Sequence, residues 1–417
     1  MTFLKPKAKT KTTTSEAQLI LSGLDRPSWK RKKFSEPKNV INVATLFSGI
    51  GAIEQALKRL KLKHKIVFAG DIDKNCKASY FANYKIDEKD WHDDITQFSA
   101  TGYKNKVDLL VGGSPCQTFS MVGNRLGMED TRGTLFYDFA RVVSECKPKV
   151  FIYENVKGLL NHDEGRTWLV VQAVFKELGY KIYSQTLNSK DYGIPQHRER
   201  IFVVGFKDKK EIFEFPAKVP LEHSMQDFLE DFFDSKYYLK AKGVKFVTST
   251  WNRQKKYTQI NGEVALCQKA NQQFNWHGDF VFEGVKGPVK FDEFVFDVKD
   301  VEEKYYLSSK VKKYVLAGGT KNFKTGNATD LEVARPLLQT MHKMHRAGVD
   351  NYVTHNKGRI RKLTPRECLR LMGFRDDFNI SVSDTQLYRQ AGNSIVVDVL
   401  IALLKEMDIT RFGRQPK

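Results

Sequence analysis

A short apolar strand that runs directly into glycines, and out of them into a helix, is the most constraining pattern in this chain. In VINVATLFSGIGAIEQALKRL the apolar run is Val40 to Leu46 and the turn is Phe47, Ser48, Gly49, Ile50 and Gly51. Ile53, Ala56, Leu57 and Leu60 then line one helix face. The glycines permit backbone geometry closed to other residues and let the main chain approach a ligand closely. Strand, glycine turn and helix in that order open a nucleotide-type α/β sheet. A second strand, Ile66 to Ala69, leads to Asp71, about 20 residues beyond the glycines, where a carboxylate accepts hydrogen bonds from a ribose diol. Asp94 and Ile95 in HDDITQF offer a further contact of the same kind.

In LLVGGSPCQTFS another strand candidate, Leu109 to Val111 after Val107, reaches Gly112 and Gly113, and Pro115 stiffens the chain before Cys116. A cysteine at the carboxyl end of a sheet strand stands where open α/β sheets bind ligands, a position suited to a nucleophile. A free thiol has a pKa of about 8.5, so positive neighbours are expected to activate it. The polar stretch Ser120 to Thr134, with three glycines and the arginines Arg125 and Arg132, has the character of a mobile lid. A helix with Leu135, Phe136, Phe139, Val142 and Val143 on one side follows. The strand in KVFIYENVKGLL then carries Glu154 at its end, topologically equivalent to Cys116. Partly desolvated, such a carboxyl can hold and donate a proton at neutral pH. Two further strand candidates flank QHRER, in which Arg198 and Arg200 alternate along an extended segment and so share a face. Paired guanidiniums there can lower a thiol pKa and clamp a planar polar ligand.

At 417 residues the chain should form two or more lobes. Lys and Arg outnumber Asp and Glu by 69 to 49, a formal charge of +20 that argues for a polyanionic partner, most simply nucleic acid. The five cysteines are too scattered for a disulfide framework or a zinc knuckle, which favours a reducing compartment. His342 and His345 have no Cys or carboxylate at zinc-like spacing, so no metal is expected. No apolar run of about 18 residues or secretory leader stands out, and neither export nor membrane insertion is expected. Residues 1–38 read as a basic, disordered or loosely docked tail.

Taken together, FSGIG, GGSPCQTFS, ENV and QHRER, with RKLTPRECLRLMGF and QAGNSIVVDVL nearer the C-terminus, resemble the DNA (cytosine-5)-methyltransferase family in its unpermuted order. The resemblance covers roughly residues 40 to 206 and 355 to 405. It implies a Rossmann-like α/β S-adenosylmethionine-dependent methyltransferase domain, built on a mixed sheet, with a smaller, irregular target-recognition domain. Residues 39–206 would be catalytic and cofactor-binding, 207–345 target-recognising, and 346–417 a segment returning to the catalytic domain, with DNA in a basic cleft between the lobes. Cys116 falls on the nucleophile, Glu154 on the acid that engages cytosine N3, and Arg198 and Arg200 on the active-site arginines. Phe47, Gly49, Gly51, Asp71, Ile72, Asp94, Ile95 and Pro115 fall on the cofactor site, where position 72 is often aromatic. Asn393 and Ser394 are expected to open the last helix and complete that pocket. Gln117, Ser120, Arg125 and Arg132 are placed on DNA, and the stretch 318–346, including Arg335 and Gln339, is expected to read bases.

The chemistry agrees. Cytosine C5 is too weak a nucleophile to attack a sulfonium methyl until a thiolate adds at C6, and the buried base must first be flipped out of the duplex. A cytoplasmic, nucleoid-associated bacterial or phage modification enzyme follows, monomeric and accompanied by a separately acting restriction endonuclease. Alternatives are an RNA cytosine-5 methyltransferase of the same fold, an adenine-N6 methyltransferase, which needs no cysteine, and an inactive DNA-binding regulator, which needs no thiol beside an acid.

Overall fold

The computed structural model describes residues 28–115, 135–230, 235–255, 257–270, 276–282, 319–320, 323–324 and 360–416. Seven strands form the central sheet: β1 (Ile41–Leu46), β2 (His64–Gly70), β3 (Trp91–His92), β4 (Leu109–Gly112), β5 (Val150–Val156), β6 (Lys181–Asn188) and β7 (Glu199–Phe206). Their spatial order is β3-β2-β1-β4-β5-β7-β6. The first five pair in parallel, and β7 lies antiparallel to both β5 and β6, so the sheet is mixed as expected.

The sequence explains the layering. β1, β4 and β5 read as nearly continuous apolar runs because helices cover both faces of a parallel sheet. The helices connecting and flanking the strands are α1 (Ala52–Arg59), α2 (Lys74–Asn83), α3 (Leu135–Cys146) and α4 (Arg166–Glu177). Phe136, Phe139, Phe151, Tyr153 and Phe175 from α3, β5 and α4 are wholly buried together, with Phe151 and Phe175 centroids 4.5 Å apart. β6 sits at the sheet edge, and its middle residues are correspondingly polar and exposed.

Two compact units emerge. The described residues before Asp234, Gly262–Asp279 and those from Leu363 onward make the first; the described parts of 234–261 and 280–362 make the second. The second unit holds α5 (Ala241–Val247), α6 (Thr250–Gln254), β8 (Thr258–Ile260), β12 (Ile360–Lys362) and, from Phe280 on, β9 (Gly278–Phe282), the three strands forming one sheet. A ribbon of β10 (Gly319–Thr320) and β11 (Phe323–Lys324) also belongs to it. The first unit therefore extends beyond the expected boundary at 206: Phe213 and Met225 are buried in it, and Arg370 donates to the Leu229 carbonyl at 2.8 Å. It also resumes only at Leu363, later than the expected 346.

The described part of the basic N-terminal segment is docked. Residues 1–27 lie outside the described residues, but Trp29 is 5% exposed, its ring 6.5 Å from that of Tyr192. Lys32 pairs with Glu406 at 2.7 Å. A single tryptophan supplies enough apolar area to dock a stretch whose composition otherwise suggests a solvated tail.

At the C-terminal end come α7 (Pro365–Arg370), α8 (Asp384–Asn393) and α9 (Val397–Glu406). A capping box at Thr364 and Glu367 starts α7. α9 packs against α1, where Arg59 grips Asp398 through two bonds of 2.6 and 2.8 Å. Asp384–Glu406 is apolar enough, over its length, to cross a membrane, but 78% of its most apolar window is buried, as in a core helix.

Candidate active site

The strand order reverses between β1 and β4, whose carboxyl ends therefore border the crevice where open α/β sheets place ligands. From β1 the chain enters the glycine turn, with Phe47, Gly49 and Gly51 at φ of +54°, +54° and +77°. A positive φ is costly at phenylalanine and is tolerated where surrounding contacts over-determine it. Gly51 is required for a second reason: a Cβ there would lie 2.2 Å from the Tyr84 ring. At Gly49, by contrast, a Cβ would meet nothing closer than 4.0 Å among the described residues, so this part of the turn is open on their side.

Asp71 ties the turn to β2. Its Oδ2 accepts from Gly49 N at 2.8 Å and its Oδ1 from Asp73 N at 2.9 Å. A carboxylate offers about four acceptor positions, so two remain for a ligand diol. Burial raises the Asp71 pKa, against the lowering effect of those two backbone bonds. Ile72, beside it, is 82% exposed, an unusual placement for a large apolar side chain. Asp94 lies beyond β3 on the next strand end and accepts from Thr96 N and Oγ1 at 2.9 and 2.7 Å, while half-buried Ile95 packs on the core.

Beneath the turn lies a polar chain that sequence patterning missed. Gly70 N donates to Ser48 Oγ, which lies 2.7 Å from Thr45 Oγ1, and Thr45 in turn reaches Glu54 at 3.3 Å. Tyr80 Oη donates to the same Glu54 oxygen at 2.5 Å. Glu54 is 0% exposed, and burial pushes its carboxyl up to about 7. The only sequence signal was an acid placed on the apolar side of a helix. The folded pKa lies above the ordinary 4.5, so the folded state holds the extra proton, and stability declines as pH rises through about 7. Urea titrations at pH 5 and pH 8 should show wild type losing up to about 3 kcal/mol more than Glu54→Gln. Equal losses in the two proteins would disprove the assignment.

On the other side of the switch point, β4 and β5 carry the chemistry. Cys116 lies outside the described residues, as do Gln117, Ser120, Arg125, Arg132, Arg335, Gln339, His342 and His345. The approach to Cys116 is well defined: Ser114 Oγ lies 2.7 Å from Tyr153 Oη, and buried Asn155 donates to the Ser114 carbonyl at 3.0 Å. Pro115 is exposed at the end of that approach. Asn155 was not singled out in the sequence, although a polar residue beside Glu154 in an apolar strand is a usable signal, since neighbours on a strand face opposite ways.

Glu154 stands one strand away. A Cβ on Gly113 would lie 2.7 Å from Glu154 Oε2, so the glycine keeps the turn and the carboxyl in contact. Arg200 Nε lies 3.2 Å from Glu154 Oε1, with both side chains largely buried. Burial raises the Glu154 pKa, and the fields of Arg200 and then Arg198 oppose the rise. The two arginines nevertheless differ. Arg200 borders the carboxyl, whereas Arg198, 3% exposed, donates to the carbonyls of Gln268, Gly392 and Ser394 at 3.0, 2.9 and 2.7 Å.

Asn393 and Ser394 are also placed differently from expectation. Asn393 ends α8 and Ser394 is its C-cap, in extended backbone, so the last helix begins only at Val397. Gly392 sits inside α8 because Lys269 and Ala270 press against it: a Cβ would fall 2.4 Å from Ala270 N. Among the described residues no group of three His, Cys, Asp or Glu is placed to hold a metal ion.

A family model described as C-5 cytosine-specific DNA methylase matches residues 41–408. The chain belongs to the C-5 cytosine-specific DNA methylases. This methylase is 31% identical to an orphan methyltransferase, M.SPRI, of Bacillus phage SPR, over 90% of this chain and 99% of the relative. It is also 31% identical to the type II methyltransferase M.SsoII of Shigella sonnei, over 96% and 88%. Its fold resembles the crystal structure of the S. pombe Dnmt2 methyltransferase, with a TM-score of 0.59, 19% identity and coverage of 88% and 97%. The methylase is thus a DNA (cytosine-5-)-methyltransferase of the bacterial and phage restriction-modification type, with a Rossmann-like catalytic fold. Membership and fold imply S-adenosylmethionine as the methyl donor, and the open space over Gly49, the spare acceptors of Asp71 and exposed Ile72 fit that group.

Proposed function

We propose that the methylase recognises a short sequence in double-stranded DNA, flips out one cytosine and methylates its C5 through a covalent bond between Cys116 Sγ and C6. The contact of the Gly113 turn, which leads to Cys116, with the Glu154 and Arg200 pair carries this reading. Bound S-adenosylmethionine supplies an electrophilic methyl group. Phe47, Gly49, Gly51, Asp71, Ile72, Asp94 and Ile95 are assigned to holding it, with Pro115, Asn393 and Ser394 completing its surroundings.

In this mechanism the Cys116 thiolate donates an electron pair to C6 while the Glu154 carboxyl gives its proton to N3, so the ring becomes an enamine and C5 a nucleophile. Burial keeps Glu154 protonated further towards neutral pH than an ordinary carboxyl, and Arg200 fixes its orientation. C5 takes the methyl group, N3 returns its proton to Glu154, a base removes the C5 proton, and the restored C5–C6 double bond expels the thiolate. Flipping costs a few kcal/mol of stacking and pairing. Gln117, Ser120, Arg125, Arg132, Arg335 and Gln339 are assigned to DNA, and residues 117–134 to the closing lid.

The methylase is proposed to work as a cytoplasmic monomer, its partner DNA protected against a separately acting endonuclease. Bisulfite sequencing of plasmid DNA from expressing cells tests the reading. Cytosines protected at one short repeated sequence support it; complete conversion, with methyl transfer to RNA substrates instead, overturns it.

A further inference from the structure

We propose that Arg198 is a positioning residue that clamps the cofactor wall, and that it does not touch the target base. The proposal rests on the assignment of Asn393 and Ser394 to that wall. Two segments distant in sequence meet at its guanidinium. One terminal nitrogen donates to the Gln268 carbonyl at 3.0 Å; the other donates to those of Gly392 and Ser394 at 2.9 and 2.7 Å. Cys267 Sγ lies 3.8 Å from the first. Nε is buried with no hydrogen-bond partner among the described residues, and no carboxylate there forms an ion pair with Arg198.

The physical task of this cation is visible in its acceptors. Gly392 lies in the last turn of α8, where carbonyls lack helical partners and the helix dipole is negative. A guanidinium there satisfies an orphan carbonyl and fixes the extended link from Ser394 to α9. Neighbouring bonds hold the same junction: Gln196 donates to the Leu371 carbonyl at 2.8 Å and accepts from Gln268 N at 3.1 Å, and His197 N donates to Ala265 O at 2.7 Å. Gly392 permits the close seating of Lys269 and Ala270 against α8. Burial and the proximity of Arg200 lower the Arg198 pKa to about 10, which still leaves it charged at neutral pH, where its field helps hold down Glu154. Lysine could not replace it, because a point charge cannot span carbonyls on both sides of a planar fork.

The test compares Arg198→Lys with Arg200→Lys in the full chain, using calorimetric binding of S-adenosylhomocysteine and single-turnover methylation at saturating cofactor. Arg198→Lys should weaken S-adenosylhomocysteine binding by about tenfold or more, the equivalent of one or two lost hydrogen bonds, while the single-turnover rate stays within about threefold. Arg200→Lys should do the reverse. An Arg198→Lys protein that binds like wild type but turns over poorly would overturn the proposal, by placing Arg198 on the reacting base. If that variant fails to fold by circular dichroism, Gly392→Ala decides in its place, because it pushes Lys269 and Ala270 off the same helix end. A folded Gly392→Ala protein with wild-type affinity overturns the clamp; one with weakened binding and near-normal turnover supports it. Failure of the wild type itself to bind S-adenosylhomocysteine would sink the cofactor assignment, and the clamp with it.

Discussion

Plasmid DNA from cells producing Cys116→Ala should convert completely with bisulfite, while wild type protects one short repeated sequence. The expected loss of turnover exceeds about 10⁴-fold, because without addition at C6 the ring offers no nucleophilic carbon. Binding of S-adenosylhomocysteine should change by less than about twofold, since the assigned cofactor contacts lie on other residues. The contrast matters: a variant that lost both would only show that the β4 turn had collapsed. Protection at the wild-type level would end the covalent reading.

The second large effect is expected at Glu154. Glutamine can still hydrogen-bond to N3 but cannot transfer a proton, so Glu154→Gln should lower the single-turnover rate by about 10²- to 10⁴-fold. The pH dependence gives a sharper criterion. Burial places the Glu154 pKa above the ordinary carboxyl value, with Arg200 and Arg198 restraining it, and in the proposed mechanism the active form is the protonated acid. Wild-type rates should therefore fall as pH rises through that elevated pKa, and this limb should be missing in Glu154→Gln. A glutamine variant as fast as wild type, or one keeping the same limb, would remove Glu154 from proton transfer.

Much of this arrangement could be read from the chain because it depends on local rules. An apolar run ending in glycine located β1 and β4, and a carboxylate after the next strand located Asp71. These are backbone demands, and few residue types meet them. Arg198 was legible as a residue but not in its contacts, because its acceptors are main-chain carbonyls 70 to 196 positions away and carbonyls have no sequence signature. The boundary of the last helix was misplaced for a related reason. Ala391, Gly392 and Asn393 look like a break, yet the glycine answers to the close approach of Ala270 and α8 runs through it. Glu54 was hidden because burial overrides the usual preference of an acid for water, and only its tertiary partners Thr45 and Tyr80 make that placement tolerable. The antiparallel entry of β7 was carried only by the family resemblance, since a hairpin and a crossover differ in connection geometry more than in composition.

The packing of α9 against α1, with the Arg59 and Asp398 grip, has a consequence for biosynthesis. The helix that follows the glycine turn is made well before its partner, which comes some 340 residues later. Val40 likewise exchanges backbone bonds of 2.8 and 2.9 Å with Arg414. Domains usually assemble from the N-terminus as they emerge. Here the nascent sheet must wait, its first helix uncovered, while the second unit is translated. A chain stalled short of α9 would carry the proposed nucleophile but lack the segment proposed to complete the cofactor site. On the proposed site, methyl transfer should therefore begin only once α9 has been made and has docked on α1.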